Sequence, residues 1–438
     1  MVLRTMLVRC GVLLFLIFLL ENVRIHATTL RVSKLNSKHS TSRPSLNSAP
    51  KNTITWVPSR MQELKKTAAE AVGVFRSNAT QQLKLELKNV VIVTATNIAY
   101  KAHLQNFVCW LNRLSMKALV FSLDSEMHAY AVKMSQKDST AQTLYSYEWA
   151  TGISSTADWR TPEFHVITTA KLEVVLAMLH LQYDVLFVDP DVALIRDPFP
   201  YLLWQNVDMA YSVNALCPDS DSFDVFKGYY IDEGNTGFYF VRSSNSTINL
   251  FHLAIAETVL YTEDEQTIFW RFIKNETRQH EVNAPRAVDL GYCHDFYHTG
   301  LVRSRRRPGE QNITIPYINA KSPQFKRASS QDFLKTGVFV EYTNSTSDPA
   351  LPDFIMCPLD GCLFSAGALS SHKSLTMLKT GLHWRGETAV SLHANWMIGS
   401  KNKVAALKQH GLWLAAHHED ETYVCSLPDG RFHSKPFG

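Results

Sequence analysis

The chain has little net charge. Lys and Arg number 44 against 40 Asp and Glu, a formal charge of +4 across 438 residues. Dedicated nucleic-acid binders concentrate basic charge on one face, so the balance argues against that class. No Cys-x-x-Cys pair occurs, and with it goes the usual spacing of a structural zinc site. No internal repeat is present, which removes solenoids and propellers. Long apolar runs are scarce too. Cys10–Leu20, preceded by Arg4 and Arg9 and closed by Glu21, is short for a membrane span, which needs roughly 17–25 residues. It has the length of a signal-peptide core, with Ala27 as a cleavage point. Extended by Val2–Val8 or by Val23 and Ile25, it would serve as a short signal-anchor, the reading favoured by the stem-like sequence that follows.

What is present is material for a large core. Hydrophobic residues make up 45% of the chain, enough for two or three average domains or one large α/β domain with appendages. Thr28–Leu83 is rich in Ser, Thr, Asn and Lys and reads as an extended stem, with one short helix near Met61–Val74. The expected organisation is a leader over 1–27, a stem over 28–85, a catalytic domain over 86–420 and a tail over 421–438. Asn78, Asn245, Asn275, Asn312 and Asn344 all begin Asn-x-Thr sequons, consistent with a secretory compartment. Beyond the leader lie six cysteines, an even number that permits disulfides in an oxidising lumen. Cys357 and Cys362 flank an Asp-Gly turn and read as a pair; Cys109 lies in a helical apolar pattern and reads as a buried thiol.

Periodicity predicts an α/β chain. Val90–Thr94 and Ala118–Leu123 are apolar runs with strand character, and Leu104, Phe107, Val108 and Leu111 between them mark one helix face. Strand, helix, strand in that order opens a doubly wound, mostly parallel sheet. Asp124–Phe164 is polar and mixed, read as a helix and an excursion. A helix capped by Thr168 or Thr169 should follow, burying Leu172, Val175, Leu176 and Leu179. Further strands are expected at Val185–Val188, Asp208–Val213, Phe238–Val241 and Gly337–Glu341, and helices near Thr247–Leu260 and Asp264–Lys274.

The chemistry centres on Asp189-Pro190-Asp191, which ends the strand Val185–Val188. Ligands of open α/β sheets gather at the carboxyl ends of strands. Two carboxylates there form a hard-oxygen site for a divalent cation that also touches phosphate. In an extended backbone, residues two apart would point to the same side. His393 is a second candidate, since a neutral imidazole ligates manganese beside carboxylates. Downstream, Gly399 lets backbone approach a phosphate, and Lys401 or Lys403 can pair with it as a point charge.

These segments together are specific. Leu186–Asp191 with Arg196-Asp197-Pro198, Asn235–Arg242, and His393–Trp396 with Gly399, Lys403 and His410–Trp413 resemble the nucleotide-diphospho-sugar transferase family, the group of plant rhamnogalacturonan xylosyltransferases and extensin arabinosyltransferases. The resemblance implies a GT-A-like α/β fold and a retaining glycosyltransferase that uses a nucleotide-sugar donor and Mn2+ or Mg2+, lumenal in the Golgi or secreted. It places the metal on Asp189, Asp191 and His393. It places the donor against Thr94, Asn97, Lys171, Asp189, Gly399 and Lys403. Asp191, Glu265 and Gln266 then stand at the reacting centre, Glu265 or Asp264 filling the family's aspartate position. The partners implied are the donor, a glycan or glycoprotein acceptor and a membrane at the amino terminus, with no nucleic acid. A scaffold on the same fold, without catalysis, is the alternative. The basic run Arg303–Arg307 reads as a solvated loop, Trp384, Trp396 and Trp413 as packing, and Asp232 and Glu233 as candidates for the acceptor side.

Overall fold

Strand β1 (Val90–Thr96) is the hub of the sheet. It pairs in parallel with β2 (Ala118–Ser122) on one side, Thr94 opposite Val120, and with β4 (Asp184–Val188) on the other, Val93 opposite Phe187. The structure, a computed structural model, describes residues 58–72, 87–137, 143–157, 161–202, 207–213, 234–260, 265–267, 269, 287–289, 324–327, 340–343, 354–359, 361, 363–366, 389–395, 397, 399–417 and 423–425. The chain divides into two units, Met1–Asn52 and Thr53–Gly438, and every described residue belongs to the second. The apolar leader, most of the stem, Cys362, Asp232, Glu233, Asp264, Arg303–Arg307, Trp384 and Trp396 lie outside the described residues. Among the described residues no helix is long and apolar enough to cross a membrane.

Among the described residues, eight strands form the main sheet in the order β3-β2-β1-β4-β7-β6-β11-β8. Beyond β2 lies parallel β3 (Leu144–Glu148). On the other side β7 (Gly234–Val241) runs antiparallel to both β4 and β6 (Met209–Val213). Parallel β11 (Phe354–Pro358) and β8 (Ala287–Asp289) complete it. Only β7 is reversed among these strands, so the sheet is mostly parallel, as expected. Alternation along β1 assigns its side chains to two cores. Val90 and Ile92 join the cluster packed under α2 (Lys101–Leu114) and α3 (Ser125–Lys137). Val91, Val93 and Ala95 join the cluster under α1 (Pro58–Ala71), α4 (Pro162–His180) and α5 (Asn245–Leu260). Burial on both faces is why the β1 run is apolar without a polar side.

Several local readings are corrected. Helix α4 starts at Pro162, not near Thr168. Thr161 caps it by accepting a hydrogen bond from the Phe164 amide at 3.2 Å, and Pro162 supplies a preset first turn. The polar stretch after Asp124 contains α3 and the strand β3. Cys109 is not a thiol: it is bonded to Cys425, 316 residues away. That bond ties α2 to the hairpin of β14 (Ala415–His417) and β15 (Tyr423–Cys425). Asn106 and Trp110 of α2 both donate to the Leu412 carbonyl, and Asn106 accepts from the Leu414 amide. A separate pair, β9 (Gln324–Arg327) and β10 (Val340–Thr343), is antiparallel. The short sheet of β12 (Phe364–Ala366), β13 (Ser391–His393) and β5 (Val192–Leu194) carries the site.

Where α4 meets α5, buried His180 and His252 bring their Nε2 atoms to 2.8 Å. Burial lowers the His252 imidazole to about 3 from 6.5. Below 6.5 the unfolded chain binds a proton that the folded chain refuses until about 3. Stability is therefore present above 6.5 and falls with pH across that window, by up to about 1.4 kcal/mol per pH unit. Urea midpoints at pH 7 and pH 5 check this: His252→Gln should flatten the slope, and equal slopes in variant and wild type would refute it.

Candidate metal and donor site

The two aspartates converge through a turn, not through extended alternation. The Asp189 carbonyl accepts from the Val192 amide at 3.1 Å, closing Asp189–Val192 with Pro190 second, a position proline suits. The Asp189 amide in turn donates to the Gly237 carbonyl of β7 at 2.7 Å. Strand β5 leaves this turn and pairs antiparallel with β13, Val192 opposite His393. That register carries the distant histidine to the aspartates. His393 Nε2 lies 3.2 Å from Asp191 Oδ1 and 3.9 Å from Asp189 Oδ2.

Ligand atoms of Asp189, Asp191 and His393 all fall within 4.8 Å of one another. Neighbouring ligands held at roughly 2.1 Å from one ion lie about 3 to 4 Å apart, so these residues fit a single divalent cation. Glycine at 237 makes room for them. A Cβ there would stand 2.2 Å from His393 Cε1 and 2.5 Å from Asp189 Oδ2.

Two lysines close the cluster. Lys403, in the first turn of α6 (Ser400–Gln409), places Nζ 2.6 Å from Asp191 Oδ2. Lys171 of α4 reaches Asp189 Oδ1 at 2.9 Å and Oδ2 at 3.0 Å, with Glu265 Oε1 at 3.5 Å. Burial alone would raise the Asp191 carboxyl. Lys403 and His393 outweigh it and hold Asp191 well below the usual carboxylate range. Burial pulls both lysines down, but Asp189 and Glu265 at Lys171, and Asp191 at Lys403, reverse the shift upward. Asp191 stays ionised, ready to ligate, and the two lysines stay cationic.

The remaining expected residues are placed as follows. Glu265 is buried, accepts from Thr236 Oγ1 at 3.0 Å and faces Lys171. Gln266 Oε1 instead accepts from Asn235 Nδ2 at 3.1 Å and from the Thr236 amide at 3.3 Å, on β7. Glu265 therefore enters the charged cluster, while the Gln266 carbonyl is engaged with the strand. Thr94 is buried with no hydrogen-bond partner for Oγ1 among the described residues. Asn97 donates through its amide nitrogen to the Ile153 and Ser155 carbonyls at 3.1 and 2.8 Å, which fixes the loop ahead of α4; its Oδ1 has no partner among the described residues. Gly399 sits at φ 86° immediately before α6, a conformation glycine adopts without strain. Lys401 is exposed, so Lys403 is the lysine that reaches the site.

Four residues of the site escaped the sequence reading as individual candidates. Gly237 stood inside a quoted motif, and only the Cβ geometry reveals its role. Tyr239, two residues on, is fully buried, and its hydroxyl has no partner among the described residues; burial, then Asp189 and Glu265, push its phenol well above the ordinary value. Tyr100 lies within electrostatic reach of Lys403, Asp191, Asp189 and Lys171, and burial raises its phenol. His103, whose Nε2 lies 2.9 Å from Ser400 Oγ, is lowered to about 4 by burial and is neutral near pH 7. Tyr100 and His103 follow Asn97 by three and six residues, and that closeness in sequence was the available signal.

A family model described as nucleotide-diphospho-sugar transferase matches residues 114–407. The beta-arabinofuranosyltransferase RAY1 of Arabidopsis thaliana is 25% identical over 212 residues, 47% of this chain and 37% of that protein. The chain thus spans little more than a third of that relative's length. Among solved structures, glycosyltransferase GlyE of Streptococcus pneumoniae TIGR4 is similar at TM-score 0.27 and 15% identity, over 41% of each chain. The galactosyltransferase LgtC, solved with donor and acceptor sugar analogues, is similar at TM-score 0.29 and 13% identity, over 60% of this chain and 90% of its own.

Proposed function

Because the chain belongs to the nucleotide-diphospho-sugar transferase family, we propose that it moves a sugar from a nucleotide-diphosphate donor to a glycan or glycoprotein acceptor, with metal dependence and retention at the anomeric carbon. The observation that carries this is the convergence of Asp189, Asp191 and His393 within 4.8 Å beside two buried lysines. These three residues would hold Mn2+ or Mg2+, which would supply neutralisation of charge on the departing diphosphate. Lys403, at the amino end of α6, pairs with the diphosphate, and Gly399 lets the backbone come close. Lys171 and Glu265 line the donor-sugar side. Attack comes from the same face as departure, with Gln266 orienting the sugar. A covalent sugar adduct trapped on Glu265 would replace this with a double displacement.

The proposed working compartment is the secretory pathway, with the domain lumenal in the Golgi behind an amino-terminal anchor. The Cys109–Cys425 bond supports an oxidising lumen. The decisive assay screens UDP- and GDP-sugars for nucleotide release, with a nucleotide-linked arabinofuranose first because of the name of the relative. Release should require Mn2+ or Mg2+, stop with chelator and rise with acceptor. Asp191→Ala should lower it by about a hundredfold to a thousandfold, a loss of the size seen when a charge stabiliser of the transition state is removed. Release indifferent to both chelator and Asp191→Ala would defeat the proposal. An intact fold that binds no donor under any metal would favour the scaffold.

A further inference from the structure

Every carboxylate oxygen of the two aspartates already faces a nitrogen. Both oxygens of Asp189 meet Lys171 at 2.9 and 3.0 Å; Asp191 Oδ1 meets His393 at 3.2 Å, and its Oδ2 meets Lys403 at 2.6 Å. A cation bound to these oxygens competes with the lysines for the same lone pairs. We infer that Lys403 is a resident counter-cation which a metal ion and a diphosphate displace together, so that neither binds tightly without the other. This rests on the proposed donor and metal chemistry and adds to it a binding order built into the site.

Formal charge gives the reason. Asp189, Asp191 and Glu265 face Lys171 and Lys403, which leaves one negative charge in a buried cluster. A divalent cation alone would turn that into one positive charge. The two phosphates of a nucleotide-sugar alone would take it to three negative charges. Together they return it to one. Each intermediate strands charge in a poorly solvated place, where uncompensated charge is costly.

Geometry supplies the route. Lys403 stands on the first turn of α6, one turn past Gly399. Its flexible stem can move Nζ from Asp191 toward an arriving phosphate without backbone movement. Lys171 behaves differently. It has Glu265 at 3.5 Å as a second carboxylate partner, so it can yield Asp189 to a cation and remain paired. Among the described residues Lys403 has no second acid in an ion pair with it, and the diphosphate is the partner it must find. Coupling of this kind is reciprocal: whatever factor the diphosphate adds to metal affinity, the metal adds to diphosphate affinity.

The test measures Mn2+ binding to the full chain by electron paramagnetic resonance of free Mn2+, without and with saturating UDP, and with GDP in parallel. Chelation of the ion by nucleotide in solution is subtracted. Wild type should gain on the order of tenfold or more in Mn2+ affinity when the nucleotide is present. Lys403→Met should bind Mn2+ alone more tightly than wild type, bind UDP or GDP more weakly, and show coupling of about twofold or less. Lys401→Met removes the same charge from an exposed position two residues away and should couple as wild type does. Lys403→Arg, which keeps the cation, should retain coupling. The wild-type measurement stands even if Lys403→Met fails to fold. Tight but independent binding of Mn2+ and nucleotide by wild type would overturn the inference and leave the transferase reading standing. Failure to bind either would overturn both.

Discussion

Replacing Gly237 by alanine is expected to weaken Mn2+ binding by at least about tenfold and donor turnover by about a hundredfold or more, with the fold intact. The new methyl would stand 2.2 Å from His393 Cε1, 2.5 Å from Asp189 Oδ2 and 2.9 Å from Asn235 Oδ1. All three are side-chain atoms, so the imidazole and the carboxylate swing apart and the strands stay. Displacing a positioned group by about 1 Å costs on the order of a hundredfold in rate. The backbone at Gly237 does not need glycine: it is an ordinary strand position, without the positive φ found at Gly152, Gly399 and Gly411. Alanine there even reduces the freedom of the unfolded chain. A loss of metal binding with an unchanged melting temperature is therefore the signature of steric closure. Wild-type Mn2+ affinity in Gly237→Ala would show that Asp189 and His393 do not share an ion.

The legible parts of this protein were those encoded locally. Val90–Thr94, Ala118–Leu123 and Val185–Val188 read as strands because both faces are covered, and they form β1, β2 and β4. The gathering of Asp189 and Asp191 into one charged cluster was legible because two acids after a buried strand are costly without a partner. His393 was legible as a candidate from residue type and, more firmly, from family resemblance. The register that brings it to Asp191 could not be read, because β13 and β5 are far apart in sequence. The bond from Cys109 to Cys425 was hidden for the same reason: a helical cysteine in an apolar stripe looks alike as thiol and as disulfide. The turn at Pro190 was taken for extended backbone since proline fits both. Strand β3 escaped because its five residues alternate weakly inside a polar stretch.

Deleting everything before residue 86 is expected to destabilise the protein severely, since α1 is a structural part of one core. Its stripe of Met61, Leu64, Ala68 and Ala71 is buried in the cluster with Leu119, Phe121, Tyr145 and Tyr147 of β2 and β3. Polar contacts fix the seat: Tyr147 donates to the Arg60 carbonyl at 2.7 Å, Arg60 bonds the Glu148 carbonyl, and Lys117 donates to the Glu70 carbonyl at 3.1 Å. Burying Met61 and Leu64 contributes about 1.5–3 kcal/mol each, and removing the helix also bares the sheet face beneath. Ordering the helix costs part of that back, yet the remainder is large against a total stability of roughly 5–15 kcal/mol. A chain starting at residue 53 keeps α1 and is the reference. One starting at residue 86 should melt roughly 10 °C lower or fail to accumulate as soluble protein. Leu64→Asp in the full chain reproduces the loss without shortening it, by placing a carboxylate where no partner exists in the stripe. Equal melting temperatures for the two truncations would mean that α1 rests on the sheet without supporting it.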